Sequence, residues 1–556
     1  MATVQQATTS NGMPVLILRE GSSQSRGREA QRNNIMAAKL IAEIVRTSLG
    51  PRGMDKMLVD TLGDVTVTND GATILKEIDV QHPAAKMMVE ISKSVDNEVG
   101  DGTTSAVVLA GALIEKAEEL INKDVHPTII VDGYRKGAVK AIEIMDKIAE
   151  KIDAKDKSWL LKIAKTSMQT KLVSKEAEDL ANIVTNAALQ IAEEVAGGFR
   201  VDIDDVKVEK KTGGSVRDTT MIRGIVLDKE VVHGDMPKRV GKAKIALLNS
   251  PLEIEKTEFD AKISISSPDQ MKSFLDEENR MLKAMVDKIA ETGANVVICQ
   301  KGIDDIAQHY LARAGILAVR RVKESDMNKL SKATKARVVT NLEDLTAEDL
   351  GAADLVEERK VETDKWVFIE GCKDPKAITI MVRGGSQRVI DEAERSIHDA
   401  LMVVKDVMEK PAIVAGGGSP EAYAATQLLE WSNKLSGREQ LAVQKFAEAL
   451  ETIPLTLAEN AGMDPIDVIT ELRAKQSKGE KWTGIDVRNN KIANMHKSDI
   501  VEPLVVKEQI IKSATEAASM ILRIDHVIAS TGSKEPAGPH GGGMGGMGGM
   551  GGMGEM

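Results

Sequence analysis

The chain has 556 residues, 42% of them hydrophobic, enough for roughly three to four domains of ordinary size. Its 74 lysines and arginines face 85 aspartates and glutamates, a formal net charge of −11, which argues against a nucleic-acid groove as its main business. Only 2% is aromatic, so the cores must be built from Val, Ile, Leu, Met and Ala. Cys299 and Cys372 form no C-x-x-C; neither a disulfide framework nor a thiolate zinc site is expected, and a reducing, cytoplasmic setting is. The first residues lack the basic start and apolar core of a secretory signal. No run of ~18 apolar residues suited to a membrane span occurs.

Residues 1–27 are rich in Gln, Ser, Thr and Gly around one apolar patch, Val15-Leu16-Ile17-Leu18, which reads as an edge strand. From Arg28 to Leu49 the apolar residues Ile35, Ala38, Ile41, Val45 and Leu49 recur at helical spacing, and Gly50-Pro51 ends the helix. Met57 to Thr68 alternates around Leu62-Gly63-Asp64 and predicts a hairpin. Asn69-Asp70-Gly71 leads into a helix at Thr73, a second runs from Pro83 to about Asn97, and Pro127 opens a third reaching Ile148. Among these stands Gly100-Asp101-Gly102-Thr103-Thr104-Ser105, followed by Ala106-Val107-Val108-Leu109, a tight turn feeding a helix.

Between about 155 and 225 the pattern is helix, helix, then strands, with Lys171 in the polar stretch Thr166 to Lys171 between the two helices. From 226 to 377 short β-rich runs (243–248, 295–299, 315–319, 336–339) alternate with helical stretches at 303–312 and 325–333, a texture that predicts parallel strands with crossover helices. Inserted after the first of these strands, Pro251 to Ile289 is charged, loop-like over Glu253–Ile265 and helical from Pro268; it is too long for an ordinary connection and is expected to project. From 378 the earlier helical style returns. Ile390, Ala393, Ile397, Leu401 and Val404 share a helix face that Asp399 does not. Ala415-Gly416-Gly417-Gly418-Ser419-Pro420-Glu421 then opens a helix, with Ser419 expected as N-cap and Pro420 as its first residue. The tail from Pro536 is nearly pure Gly-Gly-Met and is expected to be disordered.

The chemistry gathers in glycine-bracketed turns. The N–H groups opening the helix at Thr103 have no partner within it, and the helix dipole favours an anion there. Asp101 cannot bind a phosphate directly, so a bridging hard cation such as Mg²⁺ is implied. Each of the turns at 49–53, 68–71, 100–105 and 415–419 is by itself an ordinary helix stop or start; taken together, in two helical ends flanking an inserted α/β segment, they read as walls of one Mg-nucleotide site. No G-x-x-x-x-G-K-[ST] occurs, which sets aside a P-loop enzyme. The residues alone leave open a small-molecule kinase or ligase and an inert structural scaffold.

Four separated motifs carry a resemblance. Thr47-Ser48-Leu49-Gly50-Pro51-Arg52-Gly53-Met54-Asp55-Lys56-Met57, Thr68-Asn69-Asp70-Gly71-Ala72-Thr73-Ile74-Leu75, Val99 to Thr104 and Gly416-Gly417-Gly418 together resemble the signatures of group II chaperonins, the family of the archaeal thermosomes and the eukaryotic cytosolic chaperonin. The likeness runs from about residue 20 to 530. It implies a multidomain fold, α+β and α/β, with a mostly helical equatorial domain split between 1–154 and 412–530. A small intermediate domain would come from 155–225 and 378–411. An α/β apical domain would occupy 226–377, its projecting segment near 251–289 acting as a built-in lid, with 531–556 a disordered tail. The implied function is an ATP-dependent chaperone with ATP and Mg²⁺ as cofactors. Asp101 would hold Mg²⁺, and Asp399 would be the hydrolytic aspartate, assisted by Asp70. Leu49, Gly50, Pro51, Asn69, Gly102, Thr103, Thr104, Ser105, Gly416 and Gly417 would hold nucleotide; Lys171 would sense it and Glu502 would meet the ribose. The implied partners are unfolded polypeptides and copies or paralogues of the chain in a double ring of eight- or nine-membered rings, with neither nucleic acid nor a membrane span.

Overall fold

The structure, a computed structural model, describes residues 6–8, 14–16, 23–171, 173–254 and 267–529. One compact unit takes its residues from both ends of the chain, up to Asn33 and from Ile524. In it Gln6–Thr8 pairs antiparallel with Pro14–Leu16, and Ser23–Arg26 with His526–Ala529. Of the expected edge strand, Val15 and Leu16 lie in Pro14–Leu16, while Ile17, Leu18 and the Gly-Gly-Met tail lie outside the described residues.

Among its described residues the second unit, Asn34–Arg523, contains three large apolar cores, visited mainly in the chain order first, second, third, second, first, and one small cluster of Val226, Val361, Trp366, Phe368 and Met381. The first core is almost wholly helical. The helix Thr103–Ile121 runs through it, with every residue from Ala106 to Ile114 buried, so it must be covered on all sides. Pro83–Val99, Pro127–Ile148, Gly437–Leu450 and Leu504–Leu522 supply that cover. Two of the few aromatics pack here: Tyr134 and Phe446 meet edge-on with centroids 5.7 Å apart, and the Tyr134 hydroxyl donates to the Leu113 carbonyl at 2.8 Å.

The second core lies between the helices Lys157–Met168, Ala177–Ile191 and Gln387–Glu409 and a three-stranded sheet. Ile378–Gly384 is the central strand, parallel to Val206–Thr212 and antiparallel to Thr220–Ile222. Residues from two stretches some two hundred positions apart in the sequence thus share one interior.

The third core, 225–377, is built on a seven-stranded sheet that is mixed, and this corrects the expectation of parallel strands throughout. Arg239–Leu248, Val296–Cys299, Leu317–Val319 and Val338–Val339 pair in parallel, linked by the helices Pro268–Glu291, Asp305–Arg313 and Glu324–Thr334. The other half is antiparallel because Gly351–Val361 and Asp364–Glu370 form a hairpin, turning at Glu362, whose φ is +57°. In the inserted segment, residues 255–266 lie outside the described residues. The helix Pro268–Glu291 buries Leu282, Val286 and Ile289, all in its second half, while Met271, Phe274, Leu275 and Met281 are exposed. At the start of the next helix, Ile303 is 1% exposed and bridged to Leu252, whereas Ile306 is exposed.

Candidate active site

The turns singled out from the sequence converge on one open pocket, whose interior and mouth together leave about 1240 Å³ free of protein atoms, open solvent included. Leu49, Gly50, Pro51, Asn69, Asp70 and Asp101 line it, as do Gly102, Thr103, Thr104, Ser105, Lys171, Gly417 and Glu502. Gly416 stands one residue behind the wall, bonded through its N–H to the Ile500 carbonyl at 3.0 Å, and Asp399 lies behind Lys171.

The base of the pocket is the start of Thr103–Ile121. Its N-cap is Gly102, at φ +79° with no side-chain cap, so the first N–H groups of the helix remain free to meet a ligand. A side chain at Gly102 would bring Cβ within 2.6 Å of Ile510 Cδ1, so both the dihedral and the space require glycine. The helix Ser419–Ser432 also begins at a left-handed glycine. Its N-cap is Gly418, at φ +70°, rather than the expected Ser419, which is the first helical residue and donates its hydroxyl to the Lys481 carbonyl at 3.1 Å. At this second helix the Ser419 N–H already donates to the Gly416 carbonyl at 3.3 Å and Pro420 has no N–H, so what meets the cavity there is the Gly417-Gly418 turn, while Thr103–Ile121 presents free N–H groups suited to anionic oxygens. The loop 49–53 is held against it by Asn460, which donates to the Leu49 carbonyl at 2.9 Å, and by Arg52, which donates to the Ala461 carbonyl at 3.0 Å.

Acids and one lysine form the other wall. Asp70 caps the helix Gly71–Glu77, accepting from the Thr73 N–H and hydroxyl at 2.8 Å each, and from the Thr103 hydroxyl at 3.2 Å. Burial disfavours its charge, but the Lys171 ammonium and these hydrogen bonds outweigh that and hold its carboxyl below the ordinary value. Lys171, in a polar stretch of the sequence and implied by the resemblance to sense nucleotide, is buried. Its ammonium is ion-paired with the buried Asp399 and lies 4.0 Å from Asp70 Oδ1. Although burial works against the charge, Asp399, Asp70 and Asp101 together raise the Lys171 ammonium well above its usual range. The loop carrying it is tied to the wall by Asn69, whose amide donates to the Thr170 carbonyl at 2.5 Å. Burial pushes Asp101 up; Lys171 opposes this and Asp399 reinforces it. The nearby Asp96 carboxyl is driven to about 6 by burial and by the charges of Asp399 and Asp70.

A Mg-nucleotide fits this donor set. Among the described residues no group of three or more His, Cys, Asp or Glu side chains is placed to cage a metal. A Mg²⁺ held by Asp101 would complete its shell with phosphate oxygens and water, as that ion commonly does. Sequence reading missed the hairpin Thr483–Asp486 with Lys491–Asn494, which contributes Ile485 and Asp486 to the wall, and Lys507. A local signal for the hairpin existed in Thr483-Gly484-Ile485: Gly484 packs on the Gly416 carbonyl, which a Cβ would approach to 2.8 Å.

Comparison with known proteins agrees over nearly the whole chain. The model of the TCP-1/cpn60 chaperonin family matches residues 41–531. A thermosome subunit of Methanopyrus kandleri is 59% identical over 520 residues, 94% of this chain and 95% of its own. In Archaeoglobus fulgidus, thermosome subunits alpha and beta are 56% and 57% identical, covering 97% and 98% of this chain and 98% of each of their own. Four motifs, a pocket that unites them and full-length similarity lead to one conclusion: the chain belongs to the TCP-1/cpn60 chaperonin family.

Proposed function

We propose that the protein is a subunit of a group II chaperonin that hydrolyses Mg-ATP in this pocket and uses the hydrolysis to enclose and fold unfolded polypeptides. The observation that carries the proposal is the convergence of the uncapped N-terminus of Thr103–Ile121, the Gly417-Gly418 turn, Asp70, Asp101 and Lys171 with its partner Asp399 on one cavity. In this reading the N–H groups and hydroxyls of residues 103–105 and the Gly417 turn hold the phosphates, Asp101 holds Mg²⁺ and the Glu502 carboxylate accepts from the sugar. The metal, when bound, neutralises phosphate charge. Asp399 is the base for the attacking water and Asp70 helps to orient it. While paired with Lys171, Asp399 is a poor base; separation of the pair lets its carboxylate accept the water's proton.

The three cores then correspond to an equatorial domain (1–154 and 412–530), an intermediate domain (155–225 and 378–411) and an apical domain (226–377). The segment 251–289 is a lid whose exposed Met271, Phe274 and Leu275 meet the same segments of neighbouring subunits. The partners are copies or paralogues in a double ring of eight- or nine-membered rings, together with unfolded clients. Among the described residues no helix is long and apolar enough to cross a membrane. The test is steady-state ATP hydrolysis with no added small molecule, alongside particle mass by light scattering. Hydrolysis by a particle of about sixteen to eighteen chains supports the reading; a monomer, or a particle that releases phosphate only when a small-molecule acceptor is supplied, refutes it.

A further inference from the structure

On the pocket wall away from the helix start, the sequence held a second buried lysine with no evident role. Lys507 lies in the first turn of Leu504–Leu522 and is 5% exposed. Its ammonium stands 2.6 Å from Glu502 Oε2 and 2.9 Å from Glu421 Oε1. Glu421, in the first turn of Ser419–Ser432, is 1% exposed, and among the described residues that ammonium is the sole group compensating its carboxylate. Glu502 is half-buried and faces the pocket from the strand Val501–Pro503, opposite Val414. Its Oε1 packs over Gly416, where a Cβ would come within 2.8 Å. One oxygen of Glu502 is therefore occupied by Lys507, while the other lies beside the glycine run.

A carboxylate repels phosphates and can only accept hydrogen bonds, so the donors of ATP that suit Glu502 are the sugar hydroxyls and the amino group of the base, and its place beside the glycine run assigned to the phosphates favours the sugar, which is next to them in the nucleotide. We propose that Lys507 is a positioning residue for sugar recognition, holding Glu502 ionised and oriented so that its free oxygen accepts from a ribose hydroxyl. The inference rests on the nucleotide reading of the pocket. Without Lys507, Glu421 and Glu502 would be two carboxylates in one buried space, and one of them would take up a proton. Burial already drives the Glu502 carboxyl upward, opposed by Lys507 and reinforced by Glu421 and Asp101. A protonated or swung Glu502 no longer distinguishes a sugar with the hydroxyl from one without it.

The experiment measures equilibrium binding of ATP, 2′-deoxy-ATP and 3′-deoxy-ATP to the assembled full-length protein. A hydrogen bond to a charged acceptor discriminates by on the order of tenfold to a hundredfold, so the wild type should prefer ATP over one of the two analogues by that factor. Lys507→Met should reduce the preference to within about threefold while ATP still binds, and Lys507→Arg should restore it. Breaking one partner of a buried cluster can unfold a protein, so the double variant Lys507→Met/Glu421→Gln, which leaves no unpaired Glu421 charge, is measured too and should lose the preference equally. A preference kept in either Met-containing variant, or a wild type that binds all three nucleotides alike, overturns the inference. A wild type that binds none of them refutes the nucleotide reading itself.

Discussion

Replacing Asp399 with Asn separates the chemistry of the pocket from its binding. Asp399 is 6% exposed, lies behind Lys171, and is not part of the pocket wall. Asn keeps its volume and one acceptor oxygen for the Lys171 ammonium, and Asp70, 4.0 Å from that ammonium, remains to compensate it. The cost of breaking a buried pair outright is ~3–5 kcal/mol, and the retained acceptor and second acid place this variant at or below about 3 kcal/mol. It should therefore fold and assemble. ATP affinity should stay within about threefold, because no ground-state contact to the cavity is lost. The hydrolytic step should slow by about 10²–10⁴-fold, the usual loss for a positioned base, or ~3–5 kcal/mol of activation free energy. Single-turnover hydrolysis of pre-bound ATP, read beside a binding titration, isolates that step. Turnover within threefold of the wild type at unchanged affinity would remove Asp399 from the reaction.

Asp101→Asn keeps the shape of the side chain but removes its charge, so the Mg²⁺ concentration needed for half-maximal ATP binding should rise at least tenfold; an unchanged Mg²⁺ titration would mean that the metal is held elsewhere. Asp406 is buried with one carboxyl oxygen unpartnered, and burial pushes it to about 7. Its folded value exceeds its unfolded one, so ionisation destabilises the fold increasingly from about pH 4 to 7. Asp406→Asn should thus raise the thermal midpoint at pH 8 but not at pH 4, and a pH-independent difference would contradict this. Replacing 251–289 with a short Gly-Ser linker should spare hydrolysis and assembly but leave a captured client open to added protease in ATP; equal protection in both forms would leave the segment without a lid role.

Local chemistry was legible from the sequence and long-range pairing was not. The Gly100–Ser105 turn could be read because the dihedral demands, the orphan N–H groups and the apolar run all lie within ten residues. Ser419 misled because capping preferences favour a hydroxyl at the N-cap, whereas the crowding of Gly418 against Pro454, 2.9 Å from a would-be Cβ, comes from a helix that sequence proximity does not reveal. Asp399 stood out only as a polar residue off the apolar face of its helix; its pairing with Lys171 spans 228 positions and has no local signature. The strand Gly351–Val361 went unseen because Glu357, Glu358, Arg359 and Lys360 interrupt its alternation. In the fold these charges are met locally and across strands: Arg359 is bonded to Glu370 of the neighbouring strand at 2.5 and 2.8 Å and to Glu357 of its own strand at 2.8 Å. Lys507 reads in sequence as one more exposed helix lysine, and only the folded arrangement brings Glu421 and Glu502 to it.

Proposed above is a coupling of hydrolysis in this pocket to the folding of other proteins. It is tested most directly by diluting a chemically unfolded, aggregation-prone protein into the assembled particle and measuring the native yield with Mg-ATP, with a non-hydrolysable ATP analogue, and with Mg-ATP plus the Asp399→Asn variant. The yield should rise with ATP and the wild type, and in the other two mixtures the client should be held without being released as native protein. Equal native yields in all three would contradict it.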